Sequence, residues 1–164
     1  MKESKSLLDI ALERCGEEKL KEFLYDILGM HITAVWHNVI NDIEDCLKAD
    51  VLNYKERRRL FIDLVRYFME KGLIRFRSGE VSVGDWNRDY ETEEEVPKKY
   101  FDFINFTPDQ MVEFLEEQMP KGDEKDFDED SFLLSFFFAH MPFADYWYDG
   151  SDPEFPKAEW IESS

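Results

Sequence analysis

Residues 54–77 read YKERRRLFIDLVRYFMEKGLIRFR, and within them the spacing of apolar side chains changes from that of a helix to that of a strand. Up to Lys71 the apolar residues recur with helical periodicity, which predicts one amphipathic helix over 54–71. Gly72 then ends it, because glycine readily adopts the left-handed conformation found at helix C-termini. From Leu73 onward apolar and polar side chains alternate, which predicts a strand. The chain therefore passes from a helical part to a mixed part at this point.

The strand signal continues to Val83. Ser78 and Gly79 have the composition of a turn, and Val81-Ser82-Val83 alternates again, so the pattern predicts a short antiparallel hairpin over 73–83.

Helical spacing also recurs on both sides of this stretch. It predicts three earlier helices, over about 6–15, 20–28 and 32–47, and a later one that begins at Thr107 and ends before Pro120. Thr107 is followed by Pro108 at the first helical position and by Gln110 at the capping-box position, which is a specific start signal. The run 131–138, SFLLSFFF, is too apolar for a surface, and it fits a buried helix or a buried strand equally. A last short extended segment is predicted over 158–161.

These elements together indicate the fold class. We expect one domain over 1–164, of the α+β class and predominantly helical, with an N-terminal helical bundle over 1–72. An acidic, aromatic-rich part over 73–164 then adds a small antiparallel sheet and further helices.

The charge is divided unevenly along the chain. The total is −18, yet residues 1–82 are nearly neutral at −1 while residues 83–164 carry −17. A strongly acidic half attracts cations or a basic macromolecule and repels phosphate backbones, although a solvated acidic surface without a specific partner gives the same composition. The sequence therefore predicts a basic protein partner and no direct binding of nucleic acid.

Cysteine usage and the N-terminus indicate a compartment. Cys15 and Cys46 fall within predicted helices, and we interpret both as small buried hydrophobic residues with no disulfide. The first residues lack the apolar core of a signal peptide, and no run approaches the roughly 18 apolar residues of a membrane span. We therefore expect a cytoplasmic protein that does not enter a membrane.

Motifs that carry chemistry are lacking from the sequence. Asp126, Asp128 and Asp130 have the spacing of the first ligands of a calcium loop, but Ser131 stands where that loop needs glycine and Phe137 where it needs glutamate. The chain also has no cysteine pair with zinc spacing, no glycine-rich phosphate loop and no nucleophile elbow. We predict no metal, no cofactor and no enzymatic activity.

A basic cluster opens the helix over 54–71. Lys55, Arg57, Arg58 and Arg59, followed by the predicted hairpin, have the order of a winged-helix unit that places a helix and a wing on DNA. The same cluster equally fits internal pairing with the protein's own carboxylates.

Two acidic segments of the C-terminal half are the candidates for partner binding. Tyrosine and tryptophan supply large rigid surfaces at interfaces, and flanking carboxylates steer a basic partner toward them, although aromatic residues of this kind also fit the core of the small sheet. The candidate residues are Asp123, Glu124, Asp126, Asp128, Glu129 and Asp130 in the first segment, and Asp145, Tyr146, Trp147, Tyr148, Asp149 and Asp152 in the second.

This combination of compact size, acidity and aromatic anchors resembles the immunity proteins of bacterial toxin systems, such as those of contact-dependent growth inhibition. The stretches Leu64–Phe76 and Trp147–Trp160 are also similar to those of small uncharacterised bacterial proteins. The resemblance implies a protein that neutralises a basic toxin domain, such as a nuclease, by covering its active or nucleic-acid-binding site. Immunity families share no diagnostic residues, so no site residue is carried over from them. The alternatives are an acidic adaptor or regulator of another basic protein and a winged-helix-like DNA-binding regulator.

Overall fold

Six α-helices and a three-stranded antiparallel sheet form the described part of the protein, a computed structural model covering residues 5–48, 51–81, 105–125, 127–139 and 141–163. The predicted class, α+β and predominantly helical, is confirmed. The helices are α1 (Leu7–Arg14), α2 (Glu17–Tyr25), α3 (Ile40–Leu47), α4 (Tyr54–Glu70), α5 (Pro108–Gln118) and α6 (Glu129–Ala139), and the strands are β1 (Ile74–Val81), β2 (Pro142–Tyr148) and β3 (Glu159–Glu162).

The third predicted helix divides into two kinds of turn. Its first part, Val35–Val39, is a π-helix, which is wound more widely than an α-helix and runs directly into α3. Trp36 within it is 2% exposed, and its ring packs edge-on against Phe61 of α4 and Phe137 of α6. This segment therefore carries an aromatic side chain into the centre of the molecule.

Helix α4 is the central element of the fold, and it confirms the prediction of one amphipathic helix over 54–71. Its start is fixed by a capping box in which Asn53 and Glu56 satisfy each other's backbone N–H groups, a signal that the sequence analysis overlooked. It ends before Gly72, whose φ of 73° is the left-handed value expected there. Its apolar face is fully buried, and it packs against α1, α3, α5 and β1.

Two helices of the C-terminal half lie within the described ranges, and both bear on the sequence analysis. Helix α5 has the predicted capping box between Thr107 and Gln110 and ends at Gln118. The apolar run over 131–138, which periodicity left open, is a helix and forms most of α6. Leu133, Phe136 and Phe137 from it join the hydrophobic core.

The predicted hairpin over 73–83 is wrong. Ile74–Val81 is one continuous strand, and its partner is the distant strand β2, with Ile74 opposite Tyr146 and Val81 opposite Pro142. A register shift between Phe76 and Val81 absorbs the Ser78-Gly79 pair that reads as a turn in the sequence. A two-stranded hairpin is marginal alone, whereas pairing with β2 completes a three-stranded sheet in the order β1-β2-β3. Residues 82 and 83 lie outside the described ranges.

Cys15 and Cys46 form a disulfide, so their prediction as unlinked buried residues is also wrong. Both side chains are partly exposed at the packed pair of helices α1 and α3. Their Cα atoms lie 6.3 Å apart, within the usual distance range for a disulfide. The linkage joins segments that are separated by 31 residues, which the spacing in the sequence does not reveal.

Candidate protein-interaction surface

The basic cluster at the start of α4 is paired inside the protein. Arg57 is 8% exposed and bonds Glu44 of α3. Arg58 and Arg59 both reach the carboxylate of Glu116 on α5, at nitrogen–oxygen distances of 3.4 and 2.7 Å. The cluster therefore holds α3 and α5 against α4. These pairings are the internal contacts that the sequence analysis gave as the second interpretation of this cluster, and Ile74–Val81, part of the predicted wing, is one strand of the sheet.

Other cations of the first half are paired with carboxylates of the second in the same way. A carboxylate paired in this way contributes less to the field that a partner would meet, so the acidic half is less uniform than its composition indicates. The ion pairs that join the two halves within the described ranges are Lys21–Asp149, Lys55–Asp123, Arg58–Glu116, Arg59–Glu116, Arg66–Asp109 and Arg75–Asp145.

The two predicted acidic segments lie at opposite ends of α4. At its N-terminal end, the Tyr54 hydroxyl donates a hydrogen bond to the carbonyl of Pro120, just before the first segment. At its C-terminal end, Lys71 and Lys21 line one cavity of about 150 Å³, and Lys21 is bonded to Asp149 of the second segment. A 17-residue helix is about 25 Å long. The segments are therefore two separate surfaces.

The first two residues of the acidic segment 123–130 make contacts within the protein. Asp123 is paired with Lys55. Glu124 accepts hydrogen bonds from the backbone N–H groups of Lys121, at 2.9 Å, and Gly122, at 2.8 Å. These bonds, the one from Lys121 foremost, lower the pKa of Glu124. Both carboxylates stabilise the turn between α5 and α6.

The rest of the first segment begins helix α6. The Ser131 hydroxyl donates to Asp128 at 2.6 Å, while Glu129 and Asp130 lie in the first turn, where negative charge stabilises a helix. No ion pair involves Glu129 or Asp130 in the part of the chain that is described. Asp126 lies outside that part. Across the described ranges, no group of three or more His, Cys, Asp or Glu side chains is placed to hold a metal ion.

Two residues of the second segment are buried, which corrects their prediction as contacts for a partner. Asp145 is 1% exposed and accepts a hydrogen bond from Nε of Arg75 at 2.8 Å. Tyr146 is fully buried, and its hydroxyl donates to the carbonyl of Met30 at 2.9 Å. The physical reason is their position on the middle strand of the sheet, between β1 and β3.

Trp147 and Tyr148 are half-buried, and other rings cover part of each. Trp147 stands opposite Trp160 on β3, with ring centroids 5.4 Å apart. The guanidinium of Arg75 lies 4.3 Å from the Trp160 centroid. On the opposite face of the strand, Tyr148 packs against Tyr25 of α2 at 5.9 Å. These aromatic side chains mainly hold the sheet together and hold it against the helices.

The loop between β2 and β3, residues 149–158, is ordered by its own side chains. The carboxylate of Asp149 accepts a hydrogen bond from the backbone N–H of Ser151 at 3.0 Å. Asp152 repeats the pattern with Glu154 at 2.9 Å. Aspartate side chains commonly bond to the backbone two residues onward in this way, and each such bond fixes a turn. We call residues 149–158 the β2–β3 loop.

Contacts across the base of the β2–β3 loop close it further. The Tyr148 hydroxyl donates to the carbonyl of Phe155 and accepts from the backbone N–H of Asp152. Gly150 has a φ of 76°, and a Cβ atom there would stand 2.5 Å from the carbonyl oxygen of Pro156. Only glycine fits this close approach. The loop therefore has one well-defined conformation.

Phe155 is presented to solvent by this ordered loop. It is 66% exposed, and it lies between Glu154, which is also exposed, and Pro156. The sequence analysis named neither Phe155 nor Glu154. The available signal was an aromatic residue between Pro153 and Pro156 in a turn-rich acidic stretch, where prolines favour loops over sheet pairing.

The β2–β3 loop is fastened to helix α2. Nζ of Lys21 lies 2.9 Å from Oδ2 of Asp149, and the backbone N–H of Asp149 donates to the Tyr25 hydroxyl at 3.2 Å. The hydrogen bond from Lys21, followed by those from Ser151, holds the pKa of Asp149 well below its usual range. The same bond raises the pKa of Lys21. The near-neutral half of the chain thereby positions the acidic loop.

We expect Lys21→Met to raise the pKa of Asp149 toward the ordinary aspartate value of about 3.9. Because the folded-state pKa is lowered, the contact stabilises the protein above the unfolded-state pKa and is lost as the pH falls through the folded-state value. Carboxyl carbon shifts followed by NMR from neutral to acid pH measure it. Lys19→Met is the control, because Lys19 pairs with Glu22 instead. An Asp149 pKa that is equal in wild type and Lys21→Met contradicts the prediction.

No protein-family model, curated protein or solved structure matches this chain. Among the described helices, none has both the length and the apolar composition required to cross a bilayer.

Proposed function

We propose that this protein is an immunity protein that binds and neutralises a basic toxin domain, such as a nuclease, by covering its active or nucleic-acid-binding site. The observation that carries the proposal is the β2–β3 loop, which presents an exposed phenylalanine with adjacent carboxylates in a fixed conformation. A loop that is ordered before binding loses little conformational entropy in a complex. A cleft that binds phosphates is basic, and an acidic loop complements it.

The distribution of charge supports the choice of this loop over the segment at 123–130. Asp123, Glu124 and Asp128 of that segment have internal partners. Glu154 makes no ion pair within the described ranges, is exposed, and directly precedes the exposed Phe155 in the chain. An anchor needs apolar area as well as charge, and the β2–β3 loop offers both.

The compartment is part of the proposal. A toxin that attacks nucleic acid acts in the cytoplasm, and we place its inhibitor there. Disulfides are rare in that compartment, so the bond between Cys15 and Cys46 stands against this placement unless the reduced chain also folds.

Protection of growing cells tests the function. Each basic domain encoded beside this gene is expressed alone and together with the protein, and growth and complex formation are followed. Rescue of growth with a stoichiometric complex that persists at high salt supports the proposal. A stable complex without rescue favours the alternative, an acidic adaptor or regulator. Retention only at low salt contradicts both, because it indicates nonspecific attraction to an acidic surface.

Charge reversal tests whether binding depends on the β2–β3 loop or only on the total negative charge of the protein. We expect Glu154→Lys to weaken binding of the toxin domain at least tenfold at low salt, mainly through slower association. Asp45→Lys is the matched control, because Asp45 is also exposed and the change in net charge is the same. Surface plasmon resonance at several salt concentrations gives both rate constants. Equal weakening by the two variants would show that total charge, and not this loop, determines binding.

A further inference from the structure

Phe155 is an exposed large hydrophobic residue on an ordered loop that also carries exposed carboxylates. The other large hydrophobic residues described as exposed are Met30 and Val51, at 43% and 85% exposure, and both lie outside that loop. Phe155 follows Glu154 directly, and its backbone N–H is bonded to the carbonyl of Asp152 at 2.9 Å. An aromatic face and two exposed carboxylates are therefore held together by one short loop.

The same protein combines an aromatic ring, a carboxylate and an arginine at two internal positions. On the sheet, the guanidinium of Arg75 lies 4.3 Å from the Trp160 centroid while its Nε bonds Asp145 at 2.8 Å. The second position has the same three groups and lies between α4, the π-helix Val35–Val39 and α3. There Arg57 lies 5.2 Å from the Trp36 centroid and is paired with Glu44.

Arginine fits this arrangement better than lysine does. The guanidinium is planar, it stacks on aromatic faces, and its fork of N–H groups matches the two oxygens of a carboxylate. Lysine carries a compact and strongly hydrated charge that gains less from either contact. At the β2–β3 loop the ring and the carboxylates are present, while no arginine of the described ranges is placed against them.

We infer that the β2–β3 loop is an arginine-binding element, and that an arginine on the surface of the partner stacks on Phe155 and pairs with Glu154 or Asp152. This inference rests on the proposed function for the identity of the partner as a basic toxin domain. Its chemistry is independent of that identity, since any protein segment with an accessible arginine supplies the same group.

Titration with two synthetic peptides tests the inference without a toxin. Nine-residue peptides of arginine and of lysine carry the same charge, and backbone NMR shifts of the protein report where each one binds. We expect the arginine peptide to shift the amides of the β2–β3 loop and to bind there more tightly than the lysine peptide. Phe155→Ala should weaken arginine binding about two- to fivefold, as expected for an exposed cation–π contact.

Matched variants test separately whether the aromatic ring and the carboxylate of the loop are needed for arginine binding. Phe155→Leu keeps an apolar side chain without the aromatic face, and it should lose the preference for arginine. Glu154→Gln should weaken binding more than Asp130→Asn, which removes the same charge from the first turn of α6. Equal binding of the two peptides, or shifts confined to residues 123–130, would overturn the inference. Protection without arginine preference contradicts only this inference, whereas arginine binding without protection contradicts only the proposed function.

Discussion

Glu44→Ala will cost the folded protein about 3–5 kcal/mol, because it leaves the guanidinium of Arg57 buried without its counter-charge. The Arg57 side chain is 10% exposed and that of Glu44 is 11% exposed. The remaining hydrogen-bond partners of Arg57 are neutral, the side-chain oxygen of Asn41 and the backbone carbonyl of Trp36, and so is the Trp36 ring beside its guanidinium. Neither compensates a full positive charge away from water. Urea unfolding, with the slope compared between variants, measures the loss of stability.

Two controls test whether the loss of stability comes from leaving a charge buried or from losing an ion pair. Glu17→Ala removes the partner of Lys71 from an exposed pair, and it should cost less than about 1 kcal/mol. The double variant Glu44→Leu with Arg57→Met removes both buried charges together, and it should recover most of the stability that Glu44→Ala loses. A cost of under 1 kcal/mol for Glu44→Ala would mean that water reaches Arg57 and that the pair does not join α3 to α4.

Reduction of the Cys15–Cys46 disulfide will lower the free energy of unfolding by about 3–4 kcal/mol. The bond closes a loop between residues 31 apart, and opening it restores conformational freedom to the unfolded chain. Thermal and urea unfolding with and without a thiol reductant measure the difference. This effect is large against a typical total stability of about 5–15 kcal/mol.

The double variant Cys15→Ala with Cys46→Ala completes that comparison. It should match the reduced protein in stability and should not respond to the reductant. If the reduced protein still unfolds cooperatively, the fold does not depend on an oxidising compartment, and the cytoplasmic placement stands. If it is unfolded at 37 °C, the proposed location in the cytoplasm is wrong. Identical unfolding of the oxidised and reduced forms would contradict the predicted contribution of the bond.

Local signals accounted for most of the helices. Helical spacing within 54–71 and the capping residues at Thr107 and Gln110 are decided by neighbours a few positions away, so they are readable before the fold is known. The apolar run in α6 was harder, because nearly every side chain is apolar and no period stands out.

Non-local pairing accounted for the errors. The strand from Ile74 has a turn signal inside it, and only its pairing with a strand about 70 residues away shows that the turn is not made. The disulfide has the same origin, since packing of α1 on α3 brings Cys15 and Cys46 together. Sequence patterns report the preferences of neighbours, and they carry little information on such distant contacts.

The candidate surface was predicted only in outline. Acidity and aromatic content pointed to the segment from Asp145 onward, but the central strand is covered on both faces at Asp145 and Tyr146, and both residues are buried. The exposed anchor, Phe155, lies in the loop that follows. Burial of a strand residue depends on what packs over its face of the sheet, so composition alone could not separate the buried aromatic residues from the exposed one.

The strand order has a consequence for synthesis on the ribosome. β2 is the middle strand, and among the described strands β1 pairs with β2 alone, so that pairing waits until residues 142–148 have been made. About 60 residues separate the end of β1 from the start of β2, and at roughly 5–20 residues per second their translation takes about 3–12 seconds. Throughout that interval the nascent chain holds β1 without β2, while the helices before it are already made. Chaperones that shield unpaired strand edges on emerging chains would act on this protein in that window.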